Sequence, residues 1–393
     1  MTSSSRIAHG QSRRGFLQAG ALATAGLLFV PRMVLANAAT DRRFVFIIQR
    51  GAADGLETLV PYADPGYARL RGALAVDASA ASKLDGTFAL HPSLVQTAGL
   101  YGAKEALFVH AVASPYRDRS HFDGQNVLES GGTSPYQLKD GWLNRLVALL
   151  PRRGPEAIAI STTVPLALRG PAEVSSYAPA APARTSDDML QRFQQLYAQD
   201  PKLEAMWSAA MEARGMAGPA TRQSPAELGR LAARFLAQPT GPRIAMLETS
   251  GWDTHSAQAP RMNNQLKSLD ALLAALKEGM GDNWSQTVVL VATEFGRTAA
   301  ANGTGGTDHG TGSVAMLLGG AVQGGRVLGD WPGLAANALY EGRDLRPTTS
   351  LPAVISAAAG ECFGVEPARV ARALFPTVPG GASPHALPTL LRA

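Results

Sequence analysis

Six short apolar runs constrain this chain most: Phe44 to Ile48, Ala106 to Val112, Ala157 to Ile160, Ile244 to Leu247, Thr287 to Ala292 and Val314 to Leu318. Runs this short, with no polar alternation, read as strands buried on both faces, the condition of a parallel sheet. Helical stretches lie between them. In the clearest, Met262, Leu266, Leu269, Leu273 and Leu276 recur four and three apart along one face. Strand–helix alternation implies an α/β fold with a three-layer, doubly wound, mostly parallel sheet. One stretch, about 186–238, carries no strand signal and reads as a helical insertion. Within it, Asp200-Pro201 is an N-cap and first-turn pair, and Ser224-Pro225-Ala226-Glu227 a capping box.

In an open parallel sheet, ligands bind beyond the carboxyl ends of the strands. Polar clusters follow the runs in just that position. Gln49 to Gly55 follows the first, Arg117 to Asp123 the second, Gly251 to His255 the fourth and Glu294 to Thr298 the fifth. Gly303 to Gly310, holding Asp308 and His309, precedes the last. Five clusters on one rim would converge in space.

The residue types suit a metal centre. Asp and Glu offer hard oxygen ligands and His an imidazole nitrogen, a set that fits Zn²⁺, Mn²⁺ or a similar ion. The metal candidates are Asp54, Asp253, His255, Glu294, Asp308 and His309. Asp253 and His255 stand two apart, so an extended backbone points both the same way. Gly305, Gly306 and Gly310 let the chain fold tightly around Asp308 and His309. Structural readings stand beside these. Asp54 also suits an Asp-Gly turn, Ser120 a helix N-cap, Asp253 a cap or Asx-turn, and Glu294 an ion pair with Arg297.

Composition narrows the field. A single cysteine, Cys362, excludes an internal disulfide and any Cys-built metal site. The net charge of +5 is mostly leader: residues 1–38 carry Arg6, Arg13, Arg14 and Arg32 and no acid, leaving +1 for the rest. A near-neutral body gives no reason to expect nucleic acid as partner. Ser12-Arg13-Arg14-Gly15-Phe16-Leu17 is a twin-arginine pattern. A modest apolar stretch from Phe16 to Val30 follows it, and Ala36-Asn37-Ala38 makes a cleavage site. Residues 1–38 are therefore expected to address the chain to the twin-arginine translocation machinery and the periplasm. The expected mature chain, 39–393, is one domain with no membrane span.

The order Arg-Gly-x-x-Asp-Gly, Ser-His-Phe-Asp-x-Gln, Gly-Trp-Asp-Thr-His, Glu-Phe-Gly-Arg-Thr, Gly-Gly-Thr-Asp-His-Gly resembles the family called domain of unknown function 1501. Asp140 to Arg145 and Gly324 to Pro332 extend the match over nearly the whole mature chain. That family looks like a branch of the alkaline phosphatase-like superfamily of phosphatases, phosphodiesterases and sulfatases. The resemblance implies one or two divalent ions and a hydroxyl nucleophile. By it, Asp54 matches the acid after the first strand and Ser120 lies near the nucleophile. Asp253 with His255 resembles an Asp–His metal pair, and His309 the final histidine. Glu294-Phe295 stands where the superfamily has Asp-His, so one imidazole is missing unless Asp308 or His121 replaces it.

The expected function is metal-dependent cleavage of a small anionic phosphate or sulfate ester. Ser120, His121 and Arg297 are the catalytic candidates, with Arg297 or Arg119 clamping non-bridging oxygens. The alternative is a non-catalytic periplasmic binding or assembly protein that keeps the fold and a structural ion. A redox enzyme has little support: there is no Gly-x-Gly-x-x-Gly opening a helix after the first strand.

Overall fold

A computed structural model describes residues 41–151, 156–178, 197, 200–208, 224–379 and 387–392. The expected twin-arginine leader and much of the expected insertion lie outside the described residues. Where the insertion is described, Asp200 Oδ1 accepts from the amides of Lys202 and Leu203, opening a helical turn at 201.

Strand β1 (Arg43–Gln49) is buried along its whole length. A four-residue helix α1 (Gly55–Thr58) follows, then β2 (Leu59–Val60), α2 (Tyr67–Arg71), β3 (Ser82–Lys83) and β4 (Ala89–Leu90). Helix α3 (Val95–Gly102) leads to β5 (Ala106–Ala113), α4 (His121–Ser130), α5 (Trp142–Leu149), β6 (Ala157–Ala159) and β7 (Ser175–Ser176). Helix α6 (Pro225–Leu236), β8 (Ile244–Thr249), α7 (Gln258–Met280), β9 (Thr287–Thr293), β10 (Ser313–Leu318) and β11 (Arg326–Leu328) come next. Strand β12 (Thr349–Ser350), α8 (Leu351–Phe363) and α9 (Pro367–Leu374) follow.

The main sheet runs β11-β5-β10-β9-β1-β8-β6-β7, with β12 also on β5. Strand β1 pairs in parallel with β8 on one side and β9 on the other, Phe46 facing Met246 and Leu290. Strand β10 alone runs against its neighbours β5 and β9. The mostly parallel sheet expected from the apolar runs is thus present. The small antiparallel sheet β2-β4-β3 was not foreseen.

Both faces are covered, which is why the runs do not alternate with polar residues. Phe44, Phe46 and Ile48 pack on one side with α5, α8 and α9. Val45 and Ile47 pack on the other with α6 and α7. The Met262–Leu276 stripe of α7 is fully buried there. Removing apolar surface from water at about 25 cal/mol per Å² drives this layering. Its consequence is positional: the carboxyl ends of β1, β5, β8 and β9 open on one rim. Because β10 is antiparallel, the loop that enters it opens on the same rim.

Candidate metal centre

Three histidines reach the rim from three loops. His121 is the first residue of α4, His255 follows β8, and His309 precedes β10. Each ring has its Nδ1 committed to an oxygen. His121 Nδ1 lies 2.9 Å from Glu294 Oε1, His255 Nδ1 3.1 Å from Asp308 Oδ1, and His309 Nδ1 2.8 Å from the Arg119 carbonyl. Carboxylate and carbonyl oxygens only accept, so each neutral ring carries its proton on Nδ1. Each Nε2 then presents a lone pair.

The three Nε2 atoms converge on Asp253. His255 Nε2 is 3.0 Å from His309 Nε2 and 3.1 Å from Asp253 Oδ1. His309 Nε2 is 3.4 Å from the same oxygen, and His121 Nε2 is 3.5 Å from Asp253 Oδ2. His121 Nε2 is buried and has no hydrogen-bond partner. Donor atoms of His121, Asp253 and His309 all lie within 4.8 Å of one another. A tetrahedral ion with Zn–N arms of roughly 2.0–2.1 Å holds its ligand atoms about 3.3–3.5 Å apart. The residues fit such an ion.

The surroundings fix this arrangement. Glu294 is wholly buried, and its Oε1 also accepts from Gly51 N at 2.8 Å and Gln125 Nε2 at 3.0 Å. Burial alone would raise its pKa, but bonds from His121 and Gln125 hold it below the usual range. That same carboxylate raises the pKa of His121. Asp253 is depressed to about 2: burial opposes its charge, and the Arg297 guanidinium overrides burial. Phe295 stacks on His121 at 5.1 Å between ring centroids and tilts against His309 at 5.3 Å. The loops are close-packed: a Cβ on Gly306 would stand 2.3 Å from the His255 carbonyl carbon. One on Gly51, whose φ is +116°, would stand 2.6 Å from Asp253 N.

Several expected site residues lie elsewhere. Asp54 is a buried anchor. Its Oδ1 accepts from Leu56 N, Glu57 N and Arg71 Nη2, and its Oδ2 from Arg71 Nη1 and Gln258 Nε2. Five donors leave no lone pair for an ion; Asp54 is the N-cap of α1, where the sequence suggested an Asp-Gly turn. Glu294 backs His121 instead of converging with the donors. Asp308 orients His255 and is itself held by Asn302 Nδ2 at 3.2 Å. Arg297 is enclosed, not turned to a substrate. It donates to the carbonyls of Gly51, Ala52, Trp252 and Thr307, and to Asp253 Oδ1 at 2.5 Å. The Glu294–Arg297 ion pair is therefore not formed. Arg119 is likewise paired, with Glu341 and Asp344.

Ser120 occupies the N-cap position of α4, yet its side chain makes no capping bond. His121 joins the convergent donors. Gln125 was missed, although it stands one turn after His121 on the same helix face, a spacing that could have revealed it. Arg50 was also passed over. It grips Glu248 with two bonds and also binds Glu129 and Gln125, bracing the loop after β1.

The family model for Protein of unknown function (DUF1501) matches residues 41–370, and the chain belongs to that family. Curated proteins gave no match. Among solved structures, the chain is similar to the C-terminal periplasmic domain of EcEptC from Escherichia coli in complex with Zn. That pair has 8% identity and a TM-score of 0.37, over 72% of this chain and 74% of that one. It is also similar to the PsFucS1 sulfatase from Pseudoalteromonas sp., at 12% identity and a TM-score of 0.37, over 90% and 72%. A third is the lipoteichoic acid synthase LtaP from Listeria monocytogenes, at 10% identity and a TM-score of 0.34, over 72% and 67%. Likeness this distant carries no inference about activity. No helix among the described residues is long and apolar enough to cross a membrane.

Proposed function

We propose that this chain is a metal-dependent hydrolase of small phosphate or sulfate esters. It is exported to the periplasm by the twin-arginine machinery and works with one divalent ion, Zn, Mn or similar. The observation that carries this reading is the set of three imidazoles, each pinned at Nδ1, whose Nε2 atoms meet the Asp253 carboxylate. Orienting partners of this kind are what metal-ligating histidines use. One ion is favoured over two because Asp54 is saturated by protein donors.

A divalent ion there supplies Lewis acidity toward the oxygens of an anionic ester. The chain supplies the rest. Ser120 presents an uncapped hydroxyl at the start of a ten-residue helix, where backbone N–H groups favour an anion. Its Oγ bonds to phosphorus or sulfur as the bond to the alcohol breaks, and its proton passes to the departing alkoxide. Water then releases phosphate or sulfate and restores the hydroxyl. Glu294 and Phe295 hold His121 still beside Ser120, and Arg297 fixes Asp253.

The test is hydrolysis of chromogenic phosphate and sulfate esters by purified mature protein, with Zn²⁺, Mn²⁺ or chelator. Metal-dependent cleavage lost in Ser120→Ala supports the reading; full activity in Ser120→Ala refutes the nucleophile. A second reading, a non-catalytic binding or assembly protein with a structural ion, is favoured by Arg297 and Arg119 being paired with protein acceptors. One tightly held ion without ester cleavage would select it.

A further inference from the structure

Asp54, expected to hold metal, instead anchors a buried polar chain that runs back to the centre. Asp54 pairs with Arg71 through both oxygens, and neither side chain is exposed to solvent by more than 1%. Gln258, the first residue of α7, joins this pair to the rim. Its Nε2 donates to Asp54 Oδ2 at 2.7 Å and to Glu57 Oε2 at 2.6 Å. Its Oε1 accepts from the hydroxyls of Thr254 at 3.0 Å and Thr307 at 2.6 Å. Gln258, Thr254 and Thr307 are all fully buried.

The placement of the two threonines matters. Thr254 lies between Asp253 and His255. Thr307 lies two residues before His309, and its amide donates to the Thr254 carbonyl at 3.2 Å. The amide of Gln258 also donates to the Gly305 carbonyl at 2.9 Å. One side-chain amide therefore grips two of the three segments that present convergent donors, and its four polar bonds leave it no freedom to flip.

We infer that Gln258 is a positioning residue for the metal centre, setting the separation of the Asp253–His255 loop from the His309 loop. This rests on the metal reading proposed above. Fixing donor atoms before the ion arrives raises affinity, because little reorganisation remains.

The test titrates the purified full-length protein with Co²⁺, following its ligand-field absorption. Thr254→Val and Thr307→Val each remove one hydroxyl while keeping side-chain shape. Each is expected to weaken Co²⁺ binding by on the order of tenfold and to shift the absorption bands. Thr254→Ser and Thr307→Ser keep the hydroxyl and should restore both. If the valine variants melt earlier yet bind Co²⁺ with wild-type affinity and spectrum, the network is merely structural and the inference fails. If the wild-type protein itself takes up no Co²⁺, the metal reading fails and this inference falls with it.

Discussion

His255 and His309 face each other through Nε2 atoms 3.0 Å apart, while each ring gives its Nδ1 proton to an oxygen elsewhere. Two lone pairs at that distance repel unless a proton or a cation lies between them. Asp253 Oδ1 lies within 3.4 Å of both Nε2 atoms, so a cation there would satisfy the two rings and the carboxylate together.

Removal of a convergent donor should therefore nearly abolish metal retention. Purified His255→Ala, His309→Ala and Asp253→Asn proteins, dialysed and analysed for metal, are expected to hold far less than one ion per chain. Retention of a full ion by all three variants would place the centre elsewhere.

Asp308→Asn is a milder change, since it keeps the side-chain shape but weakens the acceptor that orients His255. Metal affinity should fall by roughly 10- to 100-fold, the usual cost of losing an outer partner. Competition against a chelator of known affinity measures it.

Arg71→Met should act on stability and not on metal chemistry first. Asp54 would be left charged and buried with its main partner gone, a loss of about 3–5 kcal/mol. Denaturant unfolding of the variant against wild type gives the number. A loss below about 1 kcal/mol would show that Asp54 is sustained by its backbone donors and Gln258 without Arg71.

Glu57 predicts a pH dependence. Burial, and then the neighbouring Asp54 carboxylate, push its pKa up to about 7. An unfolded Glu titrates near 4.3, so between roughly pH 4.5 and 7 the folded chain keeps a proton that the unfolded chain releases. The contribution is therefore complete below the unfolded value and is lost as pH rises through the folded one. Wild type should lose on the order of 1–3 kcal/mol relative to Glu57→Gln between about pH 5 and about pH 7.5. Parallel urea titrations at the two pH values check it.

The strands were legible because burial on both faces writes itself as an unbroken apolar run. Phe44 to Ile48 lies within β1, and Thr287 to Ala292 within β9. The rim was legible for the same reason: once strands are placed, their ends are placed. The direction of β10 was not legible, since a run such as Val314 to Leu318 reads the same either way. The division of labour among the acids was also hidden. Asp54 looks as available as Asp253 until Arg71, 17 residues on, is seen against it. Only the fold turns Phe295 from a missing ligand into a wall behind His121 and His309.

The antiparallel entry of β10 has one more consequence. It brings His309 to Asp253 across 56 residues of chain, and to the Arg119 carbonyl across 190. The chain has one cysteine and can form no internal disulfide. An ion held by His121, Asp253 and His309 would act as a cross-link in its place, tying distant parts of the chain into large covalent-like rings. Closing rings of that size removes freedom mainly from the unfolded chain. Loading with metal would then protect the folded chain from proteases as well as equip it for chemistry.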